Sequence, residues 1–116
     1  MKRITNHLIG VDQNELMLFS DFENGGEMWR GHGPRERRVA VKFSDEYRDE
    51  PSVHISMSLL DIATGPSIRT DISAENITKI GFDVVFRTWA DSRVARIRVS
   101  WMAIGPLAHD EDWELY

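Results

Sequence analysis

Trp89 stands in the run Thr88-Trp89-Ala90-Asp91, where an alternating segment gives way to a turn. An aromatic ring at such a junction offers a flat apolar face beside polar groups. Sugars need that arrangement: their C–H faces stack on a ring and their hydroxyls bond to charged or amide groups alongside. Arg69 is the matching donor, an outward residue at the start of the preceding segment whose forked guanidinium holds two oxygens at once. Ala90 and Asp91 belong to the same turn as Trp89. Gly31 and His32, in Gly31-His32-Gly33-Pro34, form a second loop in which flanking glycines expose both backbone and ring. These six residues are the candidate carbohydrate-binding set. Two of them have a plainer role open to them. Trp89 can lid the end of a core, and Arg69 can pair across strands with Asp71, Asp83 or Glu75.

Other chemistries find less support. The glycine loop around His32 precedes no helical pattern, so it is not a phosphate-binding motif. The four histidines, His7, His32, His54 and His109, show no metal-ligand spacing. His109-Asp110-Glu111-Asp112 reads as a solvated acidic tail before it reads as a cation site. Asp71, Ser73 and Glu75 form an acidic stripe, more often solvated than metal-binding. No Ser–His–Asp set or catalytic carboxylate pair emerges from spacing. No enzyme activity, cofactor or metal is expected.

The elements that must position these residues are strands. Leu16–Phe19 is a short apolar run. Val39, Val41 and Phe43 alternate with Arg38, Ala40 and Lys42. Val53, Ile55, Met57 and Leu59 alternate with His54, Ser56 and Ser58. Ile68, Thr70, Ile72 and Ala74 then alternate with Arg69, Asp71, Ser73 and Glu75. Ile80, Phe82, Val84 and Phe86 form another inward set, followed by Ala95, Ile97, Val99, Trp101 and Ala103. Turn signals separate them at Asn24-Gly25-Gly26, Thr64-Gly65-Pro66-Ser67 and Asp91-Ser92. Six strands and no helix predict an all-β, six-stranded antiparallel β-sandwich. Met102 and Ile104 fall on an outward face, which suggests a subunit interface or cover by a loop.

Composition agrees. A chain of 116 residues accommodates one domain with one modest core, and 41% hydrophobic with 28% charged residues is ordinary globular usage. The absence of cysteine excludes disulfides, thiol nucleophiles and iron–sulfur clusters. The net charge of −5 disfavours nucleic acid as a partner. Four of those five excess charges sit in the tail, at Asp110, Glu111, Asp112 and Glu114. We expect one domain over 1–105 and an acidic tail over 106–116. No stretch is long and apolar enough for a membrane helix or a signal peptide. The expectation is therefore cytoplasmic synthesis, with an extracellular role only as part of a released particle.

The segment from about Arg38 to Gly105 resembles the H-type lectin domain, the family of snail agglutinins and of the discoidin C-terminal domain. The resemblance rests on an ordered set of features. Phe43 comes before a loop ending at Pro51-Ser52-Val53. Ser56-Met57-Ser58-Leu59-Leu60-Asp61, Arg69, Asn76-Ile77-Thr78, Gly81-Phe82 and Thr88-Trp89 follow. Val99-Ser100-Trp101-Met102-Ala103-Ile104-Gly105 closes the set. The resemblance implies a trimer, stacked in some members into hexamers, with galactose or N-acetylgalactosamine held in clefts between protomers. The family's arginine and tryptophan carry over to Arg69 and Trp89. Its histidine, tyrosine and loop aspartate fall at Ala90, Ala95 and near His32, so specificity does not carry over with the fold. Val85, Arg87, Arg96 and Arg98 are expected to gather near the threefold axis, with Asp83 as a partner. The expected function is a non-catalytic glycan- or polysaccharide-binding module. The alternative is a structural spike or decoration element of a phage-like particle, attached through Met1–Val11 or the tail.

Overall fold

The computed structural model describes residues 1–108. The acidic tail and His109 therefore lie outside the described residues. Six strands form two three-stranded antiparallel sheets. In chain order they are β1 (Ile9–Ser20), β2 (Arg35–Lys42), β3 (Ser52–Ile62), β4 (Thr70–Glu75), β5 (Gly81–Thr88) and β6 (Val94–Pro106). One sheet has the order β1-β6-β3 and the other β2-β5-β4. The six-stranded sandwich expected from the alternating pattern is the observed fold.

Packing follows from that alternation. Successive side chains of a strand point to opposite faces, so each apolar set lands between the sheets. Phe19, Phe43, Phe82, Phe86, Val84, Ile97, Val99 and Trp101 make one cluster. Phe43 stacks on Phe82 at 5.7 Å between centroids, and Phe82 meets Trp101 edge-on at 5.4 Å. Fully burying a side chain such as Phe86 contributes about 1.5–3 kcal/mol.

Four details depart from the sequence reading. A one-turn helix, α1 (Glu27–Arg30), stands where only irregular chain is predicted. Four residues are too few to show a helical period, and a distant carboxylate starts the turn: Asp21 Oδ2 accepts the Met28 N–H at 3.0 Å. Met28 is thereby carried fully into the core. β1 is longer than its apolar run, because its first half is ordered by pairing with β6 from Ile9 opposite Pro106 onward. Ile9–Val11 thus belongs to the sandwich and not to a free N-terminal segment. Ile68 and Ile80, placed inward by alternation, are 51% and 58% exposed. Both precede their strands, where turns rather than the pleat set side-chain direction.

The fourth departure concerns the arginines. β5 and β6 are neighbours in sequence but central strands of different sheets. Arg87 therefore lies on one outer face, and Arg96 and Arg98 on the other, so the three do not gather. Arg87 bonds Glu75 at 2.9 Å and Glu36 at 3.0 Å, Arg96 bonds Asp61 at 3.0 Å, and Arg98 pairs with Glu15 at 3.3 Å. Val85 is outward by parity yet fully buried, set in register between Arg38 and Ser73.

Candidate functional site

Because β5 and β6 lie in different sheets, the short connection between them crosses the end of the sandwich. That connection holds Trp89, Ala90, Asp91, Ser92 and Arg93. Its neighbours in space come from two other loops. Gly33 donates its N–H to the Ala90 carbonyl at 2.8 Å, which brings in the Gly31–Pro34 loop. Ser67 donates its N–H to Asp91 Oδ1 at 3.1 Å, which brings in the stretch before β4. The structure thus places Gly31, His32, Arg69, Trp89, Ala90 and Asp91 at one end of the molecule.

The geometry around Trp89 continues the strand register. On the outer face of β2-β5-β4, Glu36 and Asp71 lie on either side of Arg87. Thr70 pairs with Thr88. Arg69 comes just before this pair on one side and Trp89 just after it on the other. Trp89 is 42% exposed, so it does not seal the core end. Its ring stands in a groove of about 520 Å³, with Pro34, Glu36, Thr70, Asp71 and Arg87 among the walls.

Arg69 is fixed through its backbone. Its N–H donates to Ser92 Oγ at 2.8 Å, and its carbonyl accepts from the Thr88 hydroxyl. The Ser92 hydroxyl in turn donates a hydrogen bond to the Ser67 carbonyl at 2.8 Å. Thr88 and Ser92 are almost fully buried. Their hydroxyls are spent on holding the 67–69 stretch against the Trp89 turn. The Arg69 guanidinium makes no hydrogen bond or ion pair among the described residues. Of the cross-strand acids that could have claimed it, Asp83 and Glu75 are taken by Arg38, each at 3.2 Å, and Glu75 also by Arg87, while Asp71 lies 3.9 Å from Arg87. Arg87 and Ser73 together hold the Glu75 carboxyl down to about 2.

Arg35 is the residue that sequence reading missed. It sits at the start of β2, largely buried, and donates to four carbonyls: Gly33 at 2.9 Å, Met28 at 3.1 Å, and Glu27 and Ala90 at 3.3 Å. One planar fork thereby ties α1, the glycine loop and the Trp89 turn together. Burial pushes its pKa below the ordinary arginine value, partly offset by Glu27. A signal was available. Arg35 and Arg37 share the parity of Val39 and Val41, which face the core. An arginine on a core parity needs partners, and Arg37 finds Asp21 at 3.2 Å and the face of the Phe19 ring.

The remaining candidates have assignable backbone roles. A Cβ at Gly31 would stand 2.3 Å from the Glu27 carbonyl oxygen, so the end of α1 demands glycine there. Ala90 adopts a left-handed φ of 59°, uncommon for a residue with a Cβ, and turns the chain sharply between sheets. Asp91 is held charged by the Ser67 hydroxyl and N–H, which lower its pKa, with His32 adding a smaller attraction. On the far side of the turn, the Arg93 guanidinium lies 4.2 Å over the Trp29 ring and its Nε donates to the Trp29 carbonyl. Among the described residues no group of His, Asp and Glu could hold a metal ion, and no helix is long and apolar enough to cross a membrane.

Comparison with known proteins follows the same outline. Residues 38–104 match the family model of the H-type lectin domain. A protein of Fuscovulum blasticum, ATP synthase subunits region ORF 7, is 49% identical over 107 residues, covering 92% of this chain and 93% of that one. A discoidin-1 polypeptide of Dictyostelium discoideum is 35% identical over 74 residues, covering 63% of this chain but 29% of its own length. The solved structure of discoidin II from the same organism superposes with a TM-score of 0.74 at 25% identity. That match takes in 90% of this chain and 40% of discoidin II. The chain thus spans less than half of either discoidin.

Proposed function

The chain belongs to the H-type lectin domain family, whose members are non-catalytic carbohydrate-binding domains, and from that premise we propose that it binds a glycan at the Trp89 end of the sandwich. One observation carries the reading. A half-exposed tryptophan stands in a groove, and the residue before it bonds the backbone of Arg69, whose guanidinium has no side-chain partner among the described residues. A sugar ring on Trp89 would bury its C–H face while the Arg69 fork takes two of its oxygens. Galactose-type sugars are the starting class, because the arginine and tryptophan positions of the family are retained.

We further propose that the chain works as a trimer and that a neighbouring protomer completes the groove. Support comes from the outer face of β1-β6-β3. Val11, Met102 and Ile104 are 61%, 39% and 38% exposed there, and no loop among the described residues covers them. A single shallow site would hold a monosaccharide with a Kd on the order of millimolar, about −4 kcal/mol. Three sites on one rigid body acting on one polysaccharide would gain roughly 10²–10⁴ in avidity.

Glycan-array binding followed by NMR titration tests the reading. Trp89→Ala should abolish binding while leaving the melting temperature nearly unchanged, because the ring is not part of the core. Unaltered binding by Trp89→Ala, or no binding across a broad array that includes capsular polysaccharides, would remove it.

A further inference from the structure

The groove beside Trp89 offers acceptors as well as an aromatic face. Asp71 and Glu36 flank Arg87 on the outer face of β2-β5-β4, and all three stand among its walls. Trp89 follows Arg87 by two residues, the spacing that keeps side chains on one side of a strand. The Asp71 and Glu36 side chains are 54% and 45% exposed, yet they are not equally engaged. Glu36 Oε1 accepts from Arg87 Nε at 3.0 Å. Glu75 Oε2 takes Arg87 Nη1 at 2.9 Å. Asp71 Oδ2 is left 3.9 Å from that same nitrogen, beyond hydrogen-bonding distance. The Asp71 side chain makes no hydrogen bond among the described residues.

A carboxylate accepts and cannot donate, so Asp71 calls for a partner that donates. Its two oxygens can take two hydroxyls on neighbouring carbons of one ring. A saccharide lying on Trp89 supplies that pair beside the C–H face it presents to the indole. A sugar carboxylate or sulfate in the same place would meet like charge from Asp71 and Glu36, and would bring acceptors where donors are required. Arg87 does not reverse that field, because Glu36, Glu75 and Asp71 already surround its guanidinium.

We propose that Asp71 is the specificity-determining acceptor of the glycan site, taking two adjacent hydroxyls of a neutral saccharide stacked on Trp89. This rests on the glycan-binding reading above and narrows it twice, to one acceptor residue and to uncharged sugars. Glu36, pinned by Arg87, stands on the β2 side of the groove and adds to the exclusion of anions.

The test titrates the full chain with galactose, glucose and mannose and with their three uronic acids, followed by NMR at the Trp89 indole N–H. The tightest ligand of the six should be a neutral sugar, bound more tightly than its own uronate. Asp71→Asn keeps the size of the side chain and removes its charge. It should raise the Kd of that neutral sugar about tenfold, the loss expected of a hydrogen bond to a charged group, and narrow the gap to the uronate. The melting temperature should not move, because the side chain is exposed and bonds nothing within the chain. A neutral-to-uronate ratio that Asp71→Asn leaves unchanged, or a uronate bound as tightly as its neutral sugar, overturns the proposal. If Trp89→Ala still abolishes binding in that case, the glycan site stands without it. No binding of any of the six overturns the proposal, and a blank array besides overturns the glycan reading as well.

Discussion

The hydroxyl of Thr88 donates to the carbonyl oxygen of Arg69, so the last residue of β5 holds in place the residue just before β4. The bond joins the two halves of the candidate site through backbone. It explains how an exposed arginine keeps a defined backbone position with no side-chain partner among the described residues. Replacing Thr88 by Val keeps the shape and removes the donor. Stability should fall by about 1 kcal/mol, the usual net value of one hydrogen bond, and more if the carbonyl stays buried and unpaired. Glycan affinity should fall in parallel, because Arg69 loses its anchor. Urea unfolding and NMR titration of Thr88→Val and Thr88→Ser would show it, with Ser retaining most of both.

Arg35 predicts a larger effect. Its fork serves four carbonyls on three segments, and a lysine ammonium cannot reach them in that plane. Arg35→Lys should cost about 2–3 kcal/mol, in the range of charge-assisted hydrogen bonds lost from a buried site. Hydrogen exchange should speed up over residues 27–34, including Gly33, whose N–H donates to the Ala90 carbonyl. Unchanged exchange in that loop would show that α1 and the turn hold themselves.

The outer face of β2-β5-β4 should make the protein acid-sensitive. Glu75 titrates near 2 in the folded chain against an ordinary 4.5, first because of Arg87, then Ser73. Asp83 is lowered too, by Asn76 first and Arg38 after it. A carboxyl depressed by folding stabilises the fold above its unfolded pKa. That contribution drains away as pH falls through the folded value. Thermal melts should therefore lose stability between about pH 4.5 and 2, and Glu75→Gln should flatten that slope while lowering stability at pH 7.

The exposed row Val11, Ile104 and Met102 predicts the assembly state. Light scattering of the purified chain should give a trimer mass. Ile104→Asp should shift it toward monomer with little effect on the fold, since the side chain is exposed within one chain. A monomer at high concentration in the parent protein would refute the threefold cleft.

Much of this protein is legible without its structure. Six strands follow from the period-two alternation, because a pleated strand buries every second side chain and each apolar set is near complete. Trp89 and Arg69 are legible as candidates because an aromatic face and a guanidinium fork at strand ends match the C–H face and the oxygens of a sugar. Arg35 is not. Its importance lies in carbonyl partners on α1, the glycine loop and the turn, and backbone carbonyls leave no mark in a sequence. The same holds for Thr88 and Ser92, ordinary hydroxyl residues until burial leaves them only backbone to bond. The misplacement of Arg87 with Arg96 and Arg98 has a similar origin. Alternation tells which residues share a face of one strand but not which strands share a sheet. By itself the sequence determined the strands, the inward faces and the chemistry of two site residues. Only the tertiary structure decided that β5 and β6 part into separate sheets, which sends their connecting turn across the end of the sandwich. Long-range pairing made that choice, and with it brought the glycine loop and the stretch before β4 against the Trp89 turn.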